Sequence, residues 1–148
     1  SPRPCPKRQR GRYGEAAVPG PLRVISVNTT SLGCDADAGG RILTGWEVLL
    51  DLSWDLAILQ EVRIPPGLLA NLCRTRGWEC AASEPDVAGK SLCATIAKVG
   101  HLAATFACER SLDCLWTTAR HTVRIGNLYG PSGGPDQDLP AIGALAPA

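Results

Sequence analysis

Three polar side chains stand at the ends of apolar, strand-forming stretches, and their types suit a hydrated cation and a phosphate. These are Asn28, Glu61 and Tyr129. Ligands of α/β sheets bind beyond the strand ends, and a carboxylate placed there is a natural ligand for Mg2+. An amide can orient that carboxylate, and a phenol can donate a hydrogen bond to a phosphate oxygen. The residues alone leave an alternative open, in which Glu61 is solvated, Asn28 begins a turn and Tyr129 packs with its hydroxyl in water.

Other chemical motifs in the sequence are weaker. Residues 88–91 (Ala-Gly-Lys-Ser) match the end of a phosphate-binding loop, but Glu84 occupies the position of its first glycine. Without that glycine the backbone cannot wrap a phosphate. His101 and His121 have no metal-ligand spacing to each other or to a cysteine, so we expect both to be structural. The glycine-rich residues 130–135 contain prolines that remove amide donors, which favours a turn.

The first half of the sequence predicts strand, helix, strand, helix. Residues 22–27 and 56–59 are short apolar runs bounded by polar residues, which is typical of buried strands, and residues 33–40 form a loop. Pro65-Pro66-Gly67 opens the second helix, and Gly77 follows it as a C-terminal cap. The apolar face of the first helix comprises Ile42, Leu43, Trp46, Leu49 and Leu50, and that of the second Leu68, Leu69, Leu72 and Cys73.

Short strands separated by turn signals follow, which indicates antiparallel pairs. They are predicted at residues 78–82, 92–97, 102–106, 115–118 and 122–128. Helices packed on a mixed sheet, an α/β (α+β) fold, follow from this order. A last helix begins in residues 138–146.

Composition narrows the class of protein further. The 148 residues are 45% hydrophobic and 20% charged, as in ordinary globular domains, and no apolar run is long enough to span a membrane. The net charge of +1 conceals a basic, proline-rich arm at residues 1–21, which we expect to be a disordered linker or a phosphate or nuclear-import contact. The seven cysteines lack a Cys-x-x-Cys pair and indicate reduced thiols of an intracellular, nuclear or cytoplasmic protein. A sequence without methionine is expected to be a piece of a longer protein.

Three segments resemble successive motifs of the endonuclease/exonuclease/phosphatase superfamily. They are Leu-Arg-Val-Ile-Ser-Val-Asn at residues 22–28, Trp-Asp-Leu-Ala-Ile-Leu-Gln-Glu-Val-Arg at 54–63, and Ile-Gly-Asn-Leu-Tyr-Gly-Pro-Ser at 125–132. Their order and spacing also agree with the family, and the resemblance runs from about residue 22 to residue 148. Within the superfamily, the chain is most similar to nucleases related to abasic-site repair enzymes, including those of retrotransposons without long terminal repeats.

The resemblance implies a four-layer sandwich, of which residues 22–148 form the N-terminal portion: two mixed sheets face to face with helices outside. It also implies cleavage of phosphodiester bonds in nucleic acid, DNA above all, with Mg2+ or Mn2+. By position, Glu61 would be a metal ligand, Asn28 would support the metal and the site, and Tyr129 would contact the scissile phosphate. Asp55 would be structural, and Gln60 would support Glu61.

The sequence departs from the family at two points. Thr30 stands where many of these nucleases have aspartate, and a hydroxyl is a poorer cation ligand. The Gly-Asp-x-Asn and Ser-Asp-His motifs of the family's second half occur nowhere in the sequence. We therefore expect the chain to need the C-terminal half of the same domain, and to be inactive alone. Two alternatives stay open: a non-catalytic remnant or nucleic-acid-binding module of a mobile-element protein, and a phosphatase of the same superfamily.

Overall fold

The computed structural model describes residues 20–32 and 44–130. The predicted order of elements is confirmed there: β1 (Val24–Asn28), α1 (Thr44–Asp51), β2 (Leu56–Ile64), α2 (Pro66–Arg74), β3 (Glu79–Ala82), β4 (Ser91–Ala97), β5 (His101–Ala107), β6 (Ser111–Thr117) and β7 (Thr122–Leu128). Neither helix of this part of the chain has the length and apolar character needed to cross a membrane. The predictions for residues 1–19, 33–40, 131–135 and 138–146, and for Ile42 and Leu43, lie outside the described residues.

The larger sheet is mixed and has the strand order β1-β2-β4-β3. β1 and β2 are parallel, with Asn28 opposite Gln60. Parallel neighbours require a long crossover, and α1 lies in the segment that supplies it. The short connection between β3 and β4 makes them antiparallel, and β4 also pairs antiparallel with β2.

The smaller sheet is a three-stranded meander with the order β5-β6-β7. Both pairs of strands are antiparallel. The expectation of mixed pairing therefore holds for the larger sheet, whereas the described strands of the smaller one are purely antiparallel. The physical reason is that two strands joined by a turn of a few residues can only run in opposite directions.

The two sheets pack face to face and the helices cover the outer face of the larger sheet. Leu56 and Cys93 of the larger sheet meet Leu112, Cys114 and Ile125 of the smaller one in one apolar cluster. A second cluster joins the helices to the opposite face; it includes Trp46, Leu49, Trp54, Ala57, Leu59, Leu69, Cys73 and Ile96. The described residues thus form three layers (helices, sheet, sheet), a partial sandwich of the predicted kind.

The second helix ends as its sequence predicts. Gly77 adopts φ 73°, the left-handed conformation that favours glycine. The Trp78 and Gly77 amides donate to the Cys73 and Arg74 carbonyls, both at 3.0 Å, which completes a Schellman cap. This turn directs the chain into β3 and places Trp78 against the helical layer.

The described residues leave one side of the sandwich uncovered. The smaller sheet lies over β2, β4 and β3, so β1 extends beyond its edge. Val24 shares its face of the larger sheet with the buried Leu56, its register partner, yet its side chain is 49% exposed. Among residues 20–32 and 44–130, β1 is therefore an edge strand, and its inner face is accessible at Val24.

Candidate functional site

The structure brings Asn28, Glu61 and Tyr129 together at one end of the sandwich. Asn28 is the last residue of β1, and its register partner Gln60 immediately precedes Glu61. Tyr129 follows β7 and packs against the cluster between the sheets. The side chains of Asn28 and Tyr129 both lie close enough to the Glu61 carboxylate to lower its pKa. Residues up to 101 positions apart in the sequence therefore form one polar site.

Glu61 does not close the second strand, and that expectation was wrong. β2 continues to Ile64, and its register to β4 shifts between Gln60 and Ile64. The strand continues because Val62 and Ile64 are β-branched, apolar and fully buried. Glu61 instead lies within this bulge.

The bulge also explains how Glu61 reaches its partners. Glu61 has φ 57° and Arg63 has φ 50°, both in the left-handed region that residues with a side chain rarely occupy. Bulges near functional sites redirect side chains in this way. The segment after β1 secures the bulge, since the Ser31 amide donates to the Glu61 carbonyl at 2.7 Å and the Leu32 amide to the Val62 carbonyl at 3.0 Å.

The site favours an ionised Glu61. The Arg63 Nη2 lies 3.1 Å from Glu61 Oε2, and the Glu61 side chain is only 20% exposed. The Arg63 guanidinium, followed by the Asn28 amide, holds the pKa of Glu61 below its ordinary value, and partial burial opposes this effect. A lowered pKa stabilises the folded chain above the ordinary carboxyl pKa. That stabilisation is lost as the pH falls through the folded-state pKa.

Replacing Arg63 with glutamine is expected to raise the pKa of Glu61 towards its ordinary value, because Arg63 is the largest cause of the lowering. The measurement is a pH titration of the Glu61 side-chain carboxyl by 13C NMR. Arg74→Gln is the matched control, since Arg74 is exposed and hydrogen-bonds to Asn71. Equal Glu61 titration curves in the wild type and Arg63→Gln would show that the ion pair does not set this pKa.

The loop after β1 orients Asn28. Asn28 Oδ1 accepts a hydrogen bond from the Thr30 amide at 3.0 Å, and Thr30 has φ 53°. This turn leaves the donor groups of Asn28 Nδ2 available to the nearby Glu61 carboxylate. Thr30 is exposed. As a threonine it places a hydroxyl, and no carboxylate, at the position where many members of the resembled family have aspartate.

Arg110 holds Tyr129 in place, and sequence reasoning missed it. The Tyr129 amide donates to the Arg110 carbonyl at 2.9 Å, and Arg110 Nε donates to the Tyr129 carbonyl at 3.1 Å. The Arg110 guanidinium also lies 4.7 Å from the centre of the Tyr129 ring. Nothing in the local sequence signals this contact, because it joins the β5–β6 turn to the residue after β7.

Asn127 is the second residue that sequence reasoning missed. It is 1% exposed and occupies the same face of β7 as Val123 and Ile125, which is otherwise apolar. Gln60 Nε2 donates to Asn127 Oδ1 at 3.0 Å, so the side chain expected to support Glu61 bonds to the opposite sheet. The signal was present in the sequence as one amide at an inward position of an alternating strand.

Asp55 is structural, as expected from its position before β2. It is 6% exposed and accepts a hydrogen bond from the Arg23 amide at 2.7 Å. The Arg23 guanidinium lies 3.9 Å from the same carboxylate oxygen. Asp55 precedes β2 whereas Glu61 lies in the second half of that strand, so the two carboxylates are not part of the same site.

A cation at this site would meet two side-chain oxygen groups, the Glu61 carboxylate and the Asn28 amide, whose oxygen already accepts from the Thr30 amide. Across residues 20–32 and 44–130, no three His, Cys, Asp or Glu side chains cluster as a metal site. Mg2+ nevertheless binds through one or two carboxylates while keeping most of its waters, and an ionised Glu61 supplies one. The donor set therefore fits a hydrated Mg2+ and does not fit a fully protein-enclosed metal.

The other candidate motifs lie elsewhere and are engaged in structural contacts. The amides of Ala88 and Lys90 donate to Asp86 Oδ1 at 2.9 and 3.0 Å, so the turn before β4 uses the donors that a phosphate would need. His101 Nδ1 lies 2.6 Å from Glu79 Oε2. His121 sits in the β6–β7 turn, at the end of β7 opposite Tyr129.

Comparison of the sequence with models of known protein families gives no match, and none of the curated proteins matches it. The superfamily resemblance therefore depends on the three motifs, and on the meeting of their polar residues at one end of the sandwich.

Proposed function

We propose that this chain carries one half of the active site of a Mg2+-dependent phosphodiester hydrolase. The proposed enzyme is of the endonuclease type and acts on nucleic acid, and its domain belongs to the endonuclease/exonuclease/phosphatase superfamily. The observation that carries the proposal is the convergence of Asn28, Glu61 and Tyr129 around one ionised carboxylate. Each residue belongs to a different one of the three motifs. The resemblance implies that these residues lie together, and their proximity supports the proposal for that reason.

The proposed roles follow from the chemistry of each group. Glu61 would hold Mg2+, or Mn2+ in its place, with Asn28 as an additional oxygen donor or as the group that orients the carboxylate. The cation, when bound, neutralises a phosphate and stabilises charge on the leaving oxygen. The Tyr129 hydroxyl can donate a hydrogen bond to a phosphate oxygen. The contacts of Arg110 with the Tyr129 carbonyl and ring hold Tyr129 in place for this role.

The open side along β1 supports the proposed need for a complementary half of the domain. Val24 offers apolar surface to further strands, and the edge of β1 that no described strand covers offers them backbone hydrogen-bonding groups. Strands added there would also lie beside Asn28, at the end of the same strand. We propose that the C-terminal half of the domain binds at this edge and supplies the groups that activate water.

A Mg2+ titration of the chain tests the metal site. Mg2+ is expected to shift the NMR signals of Asn28, Glu61 and Tyr129, and Glu61→Gln is expected to abolish these shifts because it removes the only charged oxygen ligand proposed. Glu84→Gln, which neutralises an exposed carboxylate outside the site, serves as the matched control and is expected to leave them unchanged. Equal shifts in the wild type and Glu61→Gln would refute the metal assignment.

A second candidate function is a non-catalytic nucleic-acid-binding module. The observation that favours it is Arg63, whose guanidinium lies 3.1 Å from the carboxylate that a metal would need. An arginine at that position can bind phosphate without a metal. Salt-dependent DNA binding that persists in Glu61→Gln and needs no Mg2+ would support this function over the first.

A further inference from the structure

Asn127 uses every hydrogen-bonding group of its amide inside the protein. Its Nδ2 donates to the Leu59 carbonyl at 2.9 Å and to the Ala94 carbonyl at 3.1 Å, and its Oδ1 accepts from Gln60 Nε2 at 3.0 Å. The orientation of the amide is therefore determined, because the reversed orientation would place its oxygen against two carbonyl oxygens. Asn127 thereby attaches β7 to two strands of the opposite sheet.

These contacts lie immediately beside the strained part of β2. Leu59 and Gln60 are the two residues that precede Glu61, and Glu61 and Arg63 both have positive φ. Such conformations are strained and persist only where the surroundings fix them. Backbone amides of residues 29–32 donate to the carbonyls of residues 60–62. Asn127 donates to the carbonyl of Leu59, just before the bulge.

We propose that Asn127 is a positioning residue, which acts through Gln60 to hold the Glu61 carboxylate beside Asn28 and Tyr129. The assignment of a metal to Glu61 rests on the proposed function, whereas the positioning itself does not. Asn127 and Tyr129 lie two residues apart on the same chain segment. One buried amide therefore sets the position of the strand end that carries Tyr129 and of the bulge that carries Glu61.

A purely structural role for Asn127 makes a different prediction. A clamp between the sheets would contribute to stability and leave the conformation of Glu61 unchanged in any variant that still folds. Asn127→Leu is the direct variant, but it leaves two buried carbonyls without a donor and can prevent folding. Gln60→Met is therefore the more informative variant, because it removes the link to the bulge and retains both bonds from Asn127 to the backbone.

The test compares Gln60→Met with the wild type by NMR and by Mg2+ titration. We expect Glu61 to leave the positive-φ region, the contacts of Asn28 and Tyr129 with Glu61 to be lost, and Mg2+ affinity to fall about tenfold. Thr105→Val is the matched control, because it removes a 3.1 Å side-chain bond to Asp113 far from the site.

The outcomes separate this inference from the proposed function. If Gln60→Met retains the wild-type φ and contacts of Glu61, the positioning role is overturned, whatever happens to the melting temperature. If the wild type binds no Mg2+, the proposed function fails, while the NMR contacts still decide the role of Asn127. Loss of the Glu61 contacts in Gln60→Met, with Thr105→Val unchanged, supports the inference in either case.

Discussion

Trp54→Ala is expected to destabilise the folded chain by about 3–5 kcal/mol, enough to unfold it at moderate temperature. Trp54 is 2% exposed and its Nε1 donates to the Leu49 carbonyl at 3.0 Å. The Trp54 ring packs edge-on against Trp78 with 5.4 Å between ring centres. Lys98 Nζ lies 4.0 Å from the centre of the Trp54 ring. The side chain thus joins α1 and the strands β2 and β3 at one point, and alanine would leave a large cavity there.

Urea denaturation followed by circular dichroism measures this effect. Trp54→Phe is expected to lose less, because it retains most of the ring volume and gives up the hydrogen bond to Leu49. Phe106→Ala is the control on the outer face of the smaller sheet, where the phenylalanine is 38% exposed, and its cost should be the smallest of the three. A midpoint for Trp54→Ala equal to that of Phe106→Ala would contradict the packing argument.

Much of the fold could be predicted from the sequence because its elements carry local signals. The apolar run before Asn28, the helix-opening Pro65-Pro66 and the left-handed Gly77 each specify their own structure without knowledge of the rest. The start of β6 was predicted at residue 115 but lies at Ser111, because the first half of the strand contains Ser111 and Asp113, which are polar but buried. Their burial depends on tertiary packing, and no local pattern reports it.

The candidate site could be predicted in its membership and not in its geometry. The sequence shows three polar groups that follow apolar runs: Asn28, Glu61 and Tyr129. Each of them belongs to one of the three motifs that resemble the superfamily. The positive φ of Glu61 is invisible in the sequence, because glutamate has no preference for it. Asn127 and Arg110 act through partners more than 15 positions away, so only the folded structure shows what they hold.

The 148-residue chain alone is expected to nick supercoiled DNA no faster than buffer, with either Mg2+ or Mn2+. Catalytic groups that act as a unit lose many orders of magnitude when part of the unit is absent, so on the order of a thousandfold deficit or more is expected against a complete site. The sequence has only two histidines, and both lie at the end of the smaller sheet away from Tyr129. Since the strand β7 separates His121 from Tyr129, the Cα atoms of these two residues lie roughly 25 Å apart.

A plasmid-nicking assay with purified wild type and Glu61→Gln in parallel checks this expectation. Both proteins should give the same background rate, because a cation held by Glu61 without a group to activate water does not produce an attacking hydroxide at the phosphate. Turnover by the wild type that disappears in Glu61→Gln would contradict the prediction and make the chain a complete enzyme. If Mg2+ shifts the NMR signals of Glu61 while the nicking rate stays at background, cation binding and activation of water would be separate properties of the site. The described residues would then hold the cation and the phosphate, and activation of water would belong to the strands proposed to bind along β1.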